Sequence, residues 1–208
     1  MRSRSAMRAG LRENRRLKQR RRGSVTGVPN FHFLMRDLAH EVDAGRMTDI
    51  EAAGKVAEYI QKALKCVHVT FWSVSGQVGQ RVMRSVAAYD GVRGLAIAGA
   101  AVFPESGGGF FGALVREGCY VCGDTFADPA LQGVKEVMLV PFNIRALLAA
   151  SYGGHGEVWG IITCTNNIAR KWRPSEVTAL RKCAAEISTL RNQRRLLGNS
   201  LSTGGFLK

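Results

Sequence analysis

The sequence has no apolar run that approaches the roughly 18 residues needed to cross a bilayer. It also lacks the short apolar core of a secretory signal, so we expect a cytoplasmic protein without a transmembrane segment. What is present is the composition of a globular chain, with 46% hydrophobic residues among 208. That length is sufficient for one domain with a sizeable core and additional tails.

Acidic residues are almost missing from the first 22 positions. This segment holds ten basic residues and one acid, Glu13, and so carries +9 of the formal net charge of +14. We therefore assign residues 1–30 to a flexible basic arm and a hinge. Its densest part supplies the candidate contacts to a polyanion: Arg15, Arg16, Lys18, Arg20, Arg21 and Arg22.

Three interpretations of the arm remain open. It is a solvated tail, an electrostatic anchor for nucleic acid or an anionic membrane, or a transit peptide that is rich in arginine and poor in acids. A regulator that associates non-specifically with nucleic acid through the arm is therefore one of the functions to be weighed.

The chain has five cysteines, an odd number that favours reduced thiols over a disulfide framework. Cys119 and Cys122 have a Cys-x-x-Cys spacing between Gly118 and Gly123, which leaves too few residues for a helix. In an extended run these two side chains point to opposite faces, so we expect no disulfide and no shared metal. They are either small apolar strand residues or thiols that sense oxidants.

A glycine pattern of the dinucleotide-binding type is also incomplete. Gly107, Gly109 and Gly112 have the spacing, but Pro104 breaks the preceding stretch and no second β-α-β unit follows. These glycines are more typical of a mobile cap.

Two helices are predicted near the beginning of the globular part. Residues 31–47 contain an amphipathic helix over Phe31–Val42, and Thr48 with Glu51 has the spacing of a capping box that begins a second helix. The apolar stripe of the second helix is predicted to comprise Ile50, Ala53, Val56, Ala57, Ile60 and Leu64.

The period then changes from helical to alternating. Residues 66–74 and 81–89 alternate on either side of a glycine turn and predict a β-hairpin. His68 shares a strand face with Trp72, where it either lines a cavity or is a satisfied core group. Residues 91–118 are rich in glycine and predict an irregular cap with one short helix near residues 110–116.

A second hairpin follows, with a Gly-Gly-His-Gly turn around His155, and a long helix begins near Pro174. Residues 196–208 are predicted to be a flexible tail. Antiparallel hairpins flanked by helices on one side indicate an α+β domain.

The loop "DTFADP" is the best candidate for a polar site. Asp124 and Asp128 lie on either side of Phe126. The alternative is plain turn chemistry, because aspartate before proline is common in turns.

Five stretches, in this order, resemble the GAF family: "VTFWSVSG", "MRSVAAYD", "FFGALVREGCYVCGDTFADPAL", "NIRALLAASYGGHGEVWGIITCTNN" and "RKWRPSEVTALRKCAAEIS". The resemblance covers residues 48–195. It implies an antiparallel sheet of five or six strands, with the N- and C-terminal helices on one face and a cap over the other.

The resemblance also implies a function. GAF domains of this kind bind a small ligand or chromophore, signal through a partner protein and often dimerise through their terminal helices. We therefore expect a stand-alone regulatory sensor and a homodimer. The ligand site is expected between the sheet and the cap, at Trp72, Phe111, Asp124, Phe126 and Asp128.

Several family motifs are missing. The cyclic-nucleotide motif, the Cys-His step of bilin attachment and the cysteine spacing of the free methionine sulfoxide reductases are not recognisable. Arg173 also stands where a serine or threonine helix cap is usual, which would cost about 1 kcal/mol. A cysteine-using enzyme on the same fold remains the alternative, although no base is evident beside any thiol. The cofactor is unknown.

Overall fold

The computed structural model describes residues 30–98, 101–105, 109–154 and 156–196. The predicted basic arm with its polyanion contacts, the tail beyond Leu196 and the turn at His155 lie outside these residues. In chain order the elements are α1 (Phe31–Asp43), α2 (Asp49–Leu64), β1 (His68–Ser75), β2 (Val82–Asp90), β3 (Leu95–Ala98), β4 (Val102–Pro104), α3 (Gly109–Glu117), β5 (Cys119–Cys122), a 3₁₀ helix (Pro129–Val134), a π-helical turn (Lys135–Leu139), β6 (Ala146–Gly154), β7 (Glu157–Asn166) and α4 (Pro174–Leu196).

The strands of the described residues form one antiparallel sheet, in the order β3-β2-β1-β7-β6-β5. Short strand β4 pairs with β2 beside β3, so seven strands occupy six positions across the sheet. Both predicted hairpins are confirmed, since β1 pairs with β2 and β6 pairs with β7. The predicted α+β class is confirmed as well.

The sheet separates two apolar layers. One layer lies between the sheet and helices α1, α2 and α4, and it contains Val69, Phe71, Ile162 and Cys164. The other layer lies between the sheet and the cap, and it contains Trp72 and residues of α3, the 3₁₀ helix and the π-helical turn. Strand alternation assigns successive residues of the central strands to the two layers.

The beginning of α2 follows from local chemistry. Thr48 Oγ1 accepts a hydrogen bond from Glu51 N, and Glu51 Oε2 accepts one from Thr48 N at 2.8 Å, which confirms the predicted capping box. Ile50 departs from the predicted stripe, because it is 53% exposed. Helical spacing determines the side of α2 on which Ile50 lies, but not whether another element reaches the first turn.

Helix α1 buries its apolar face within the chain. Phe31, Met35, Leu38 and Val42 are all buried, and α1 packs against α2 and α4. The amphipathic pattern was the sequence-based reason to expect a dimer. Because a partner within the same chain covers this face, that reason no longer supports a homodimer.

The cap is more regular than the sequence predicts. Residues 91–118 contain β3 and β4 in addition to the predicted short helix, and residues 129–139 form a 3₁₀ helix that leads into a π-helical turn. These strands have four and three residues. Such short segments are stabilised by pairing with β2 rather than by a hydrophobic period of their own.

Helix α4 begins without a serine or threonine cap, as the sequence indicates, but its beginning is nevertheless capped. Buried Glu176 accepts a hydrogen bond from Arg173 N at 2.7 Å and pairs with Arg170 Nη2 at 2.8 Å. This carboxylate replaces the missing cap, and the expected penalty at Arg173 is therefore offset. No helix of the described residues is long and apolar enough to span a membrane.

Replacing Glu176 with Gln is expected to lower the free energy of unfolding by about 2 kcal/mol, because charge-assisted bonds to Arg170 and Arg173 are lost inside the protein. Glu58→Gln is the matched control, since Glu58 pairs with Lys62 at an exposed position. Urea unfolding at pH 7 measures the free energy of unfolding of both variants. Equal stability of the Glu176 and Glu58 variants would contradict the role of Glu176.

The Glu176 contribution is also expected to depend on pH. Burial raises the pKa of Glu176, but hydrogen bonds from Arg173 and Arg170 outweigh it and hold the pKa below the ordinary value. A carboxylate with a lowered pKa stabilises the fold above its unfolded pKa, about 4.3, and loses that contribution as the pH falls. The difference in free energy of unfolding between the wild type and Glu176→Gln, measured by urea titration, should therefore become smaller as the pH falls below about 4.3.

Candidate ligand site on the capped face of the sheet

The apolar layer under the cap is rich in aromatic side chains. Trp72 is 7% exposed and its ring meets Phe103 edge-on, with 5.4 Å between ring centroids. The indole Nε1 donates to Thr163 Oγ1 at 2.9 Å. Phe111 is 4% exposed, and the Arg81 guanidinium lies 5.4 Å from the centre of its ring. Two of the predicted site residues are thus placed in the same buried layer.

Phe126 lies at the margin of this layer and is half-buried against it. Two cations face its ring, with Arg145 at 4.6 Å and Lys135 at 5.5 Å from the centroid. Asp124 accepts from Phe126 N and pairs with Arg145 Nη2 at 3.2 Å. The neighbourhood of Asp124 and Phe126 is therefore a small ion-pair and cation–π group rather than an open carboxylate.

Asp128 has structural partners on both carboxylate oxygens. One oxygen accepts from Ala130 N at 3.0 Å and begins the 3₁₀ helix, and the other accepts from Tyr120 Oη at 2.6 Å. Burial raises the pKa of Asp128, but hydrogen bonds from Tyr120, the Cys122 thiol and Ala130 N outweigh it, so the pKa is lowered. Turn and capping chemistry accounts for both aspartates, and their role toward a ligand stays a prediction.

The five cysteines are buried and unpaired. Cys119 belongs to the helix-side layer and Cys122 to the cap-side layer, so the predicted divergence of the two is confirmed. Burial raises the pKa of Cys119 and Cys164, and it raises that of Cys122 and Cys183 to about 12. These four thiols are protonated at neutral pH and are poor nucleophiles. No group of metal-ligating side chains occurs within the described parts of the chain.

Several residues of this face are not singled out by the sequence. Arg145, Tyr120 and Thr163 acquire their roles through partners on other strands or loops, and Thr163 meets Trp72 across 91 positions of sequence. The one sequence pattern that bears on these contacts is the alternation of β1 and β7. Once the two strands pair, this alternation places Trp72 and Thr163 on the same face of the sheet.

A groove of about 270 Å³ lies on the opposite side of the protein, between α1 and α4. It is lined by Phe31, His32, Ala179 and Glu186, among others, and His32 Nδ1 lies 2.5 Å from Glu186 Oε1. This groove is separated from the predicted site by the whole sheet.

These features define a class of protein: a small α+β domain with three helices on one face of an antiparallel sheet and an aromatic layer beneath a cap on the other. The GAF-domain family model matches residues 50–190, and the chain belongs to this family. Among curated proteins, none matches the chain in sequence.

Solved structures with the same fold include a chromophore-bound domain and an enzyme with its substrate. The phycocyanobilin-bound GAF domain of a cyanobacterial phytochrome is 12% identical with a TM-score of 0.64, over 82% of this chain and 98% of that one. The free methionine-R-sulfoxide reductase from Neisseria meningitidis, in complex with its substrate, is 15% identical with a TM-score of 0.56. The match covers 82% of this chain and 93% of the reductase chain. The GAF domain of a phosphoenolpyruvate-protein phosphotransferase from Coxiella burnetii is 18% identical with a TM-score of 0.55. The match covers 82% of this chain and 98% of that domain's chain. Identities this low establish the fold alone.

Replacing Tyr120 with Phe is expected to lower the free energy of unfolding by about 1–2 kcal/mol near pH 7, because a hydrogen bond to the Asp128 carboxylate is lost. The loss should diminish in acid, because protonation of Asp128 weakens the bond in the wild type. Tyr89→Phe is the control, since Tyr89 is buried but its hydroxyl has no hydrogen bond to the described residues. Chemical unfolding at pH 7 and pH 3.5 compares them, and equal losses in both variants would contradict the assignment.

Proposed function

We propose that this GAF domain is a regulatory sensor module that binds a small ligand between the sheet and the cap and signals through a partner protein. The observation that carries the proposal is the aromatic layer around Trp72, Phe103 and Phe111, which lies against short cap elements. Aromatic walls with few polar groups are the usual composition of a small-molecule site. A cap of short elements with a π-helical turn is also the kind of structure that rearranges around a ligand.

The proposed ligand is held without a covalent bond. The thiols of Cys119, Cys122, Cys164 and Cys183 have raised pKa values and are buried, so they do not supply a nucleophile at neutral pH. The same observation weighs against the alternative function, a cysteine-using enzyme on this fold. Binding is therefore the better supported activity.

Ligand binding is tested by native mass spectrometry of the purified protein, compared with a denatured sample. We expect an additional mass that disappears on denaturation. If none co-purifies, phycocyanobilin and methionine-R-sulfoxide are the first probes to add, since similar folds are known with them bound. The proposal fails if no mass co-purifies and neither probe raises the melting temperature.

The position of the site is tested with two phenylalanines of the cap. Phe126→Ala should abolish the rise in melting temperature that the co-purifying ligand or probe produces, because Phe126 packs against the aromatic layer. Phe142→Ala is the matched control, since Phe142 is 57% exposed. Asp128→Ala is a weaker probe, because Asp128 also begins the 3₁₀ helix. An unchanged ligand response in Phe126→Ala would place the site elsewhere.

Separately from the signalling partner, we propose that the chain forms a homodimer through the outer surface of α1 and α4. Phe33 is 54% exposed there and lines the groove between the two helices. Light scattering at high micromolar concentration should report a dimer, and Phe33→Ser should shift it toward monomer. A wild-type protein that remains monomeric at that concentration contradicts this assignment.

The basic arm offers a separate partner class. We propose that residues 1–22, rather than the globular domain, carry any affinity for nucleic acid, because they hold +9 of the net charge of +14. Affinity for duplex DNA should fall steeply with salt, with a slope of about −0.9 per phosphate contacted, and sequence preference should be weak. A shortened chain that begins at Gly23 should lose this binding. Full affinity of the shortened chain would exclude the arm as the anchor.

A further inference from the structure

We draw no further inference here: the strongest candidate, the cluster of buried side-chain donors where β6 begins and β7 ends (Arg145 Nε, Asn166 Nδ2 and Arg170 Nε), carries nothing, because its two guanidinium groups are already paired with Asp124 and Glu176 and nothing in the structure shows a further group that these donors would meet.

Discussion

Burial of both faces of the central strands is the constraint on which the rest of this structure depends. Alternate side chains of strands β1 and β7 lie in two separate apolar layers. Phe71 and Ile162 pack on the side of the helices, and Trp72 and Ile161 pack on the side of the cap. A shift of one residue in either strand would exchange every one of these side chains between the layers. The hydrogen bond between Trp72 and Thr163 satisfies a buried indole in the observed register and so opposes such a shift.

The ionisable side chains of the capped face make contacts within the protein. The groups that would act as nucleophile or base have partners already: Asp128 with Tyr120, Asp124 with Arg145, and Asp90 with His68 and Arg93. Cys122 is the thiol nearest to this chemistry, and burial together with the Asp128 carboxylate raises its pKa to about 12.

Features that depend on neighbouring residues in the sequence were easier to predict than features that depend on residues far apart in the sequence. The capping box at Thr48 and the helix that begins at Pro174 were predicted well, because their signals lie within a few neighbouring residues. Strands β3 and β4 were not predicted, because their few residues are held by pairing with β2. The helical pattern of α1 showed correctly that one face is buried, but a pattern cannot say whether that face meets another molecule or, as here, α2 and α4.

The sequence by itself determined the α+β class, the two hairpins, the alternation that places His68 with Trp72, and the divergence of Cys119 from Cys122. These follow from periods of 2 and 3.6 residues and from glycine and proline positions. Only the tertiary structure decided that Asp124 and Asp128 are engaged, that Glu176 caps α4, and that Trp72 donates a hydrogen bond to Thr163. Each of these depends on which strands and loops become neighbours. Thr163 and Trp72 are 91 positions apart, and no local pattern specifies such a pair.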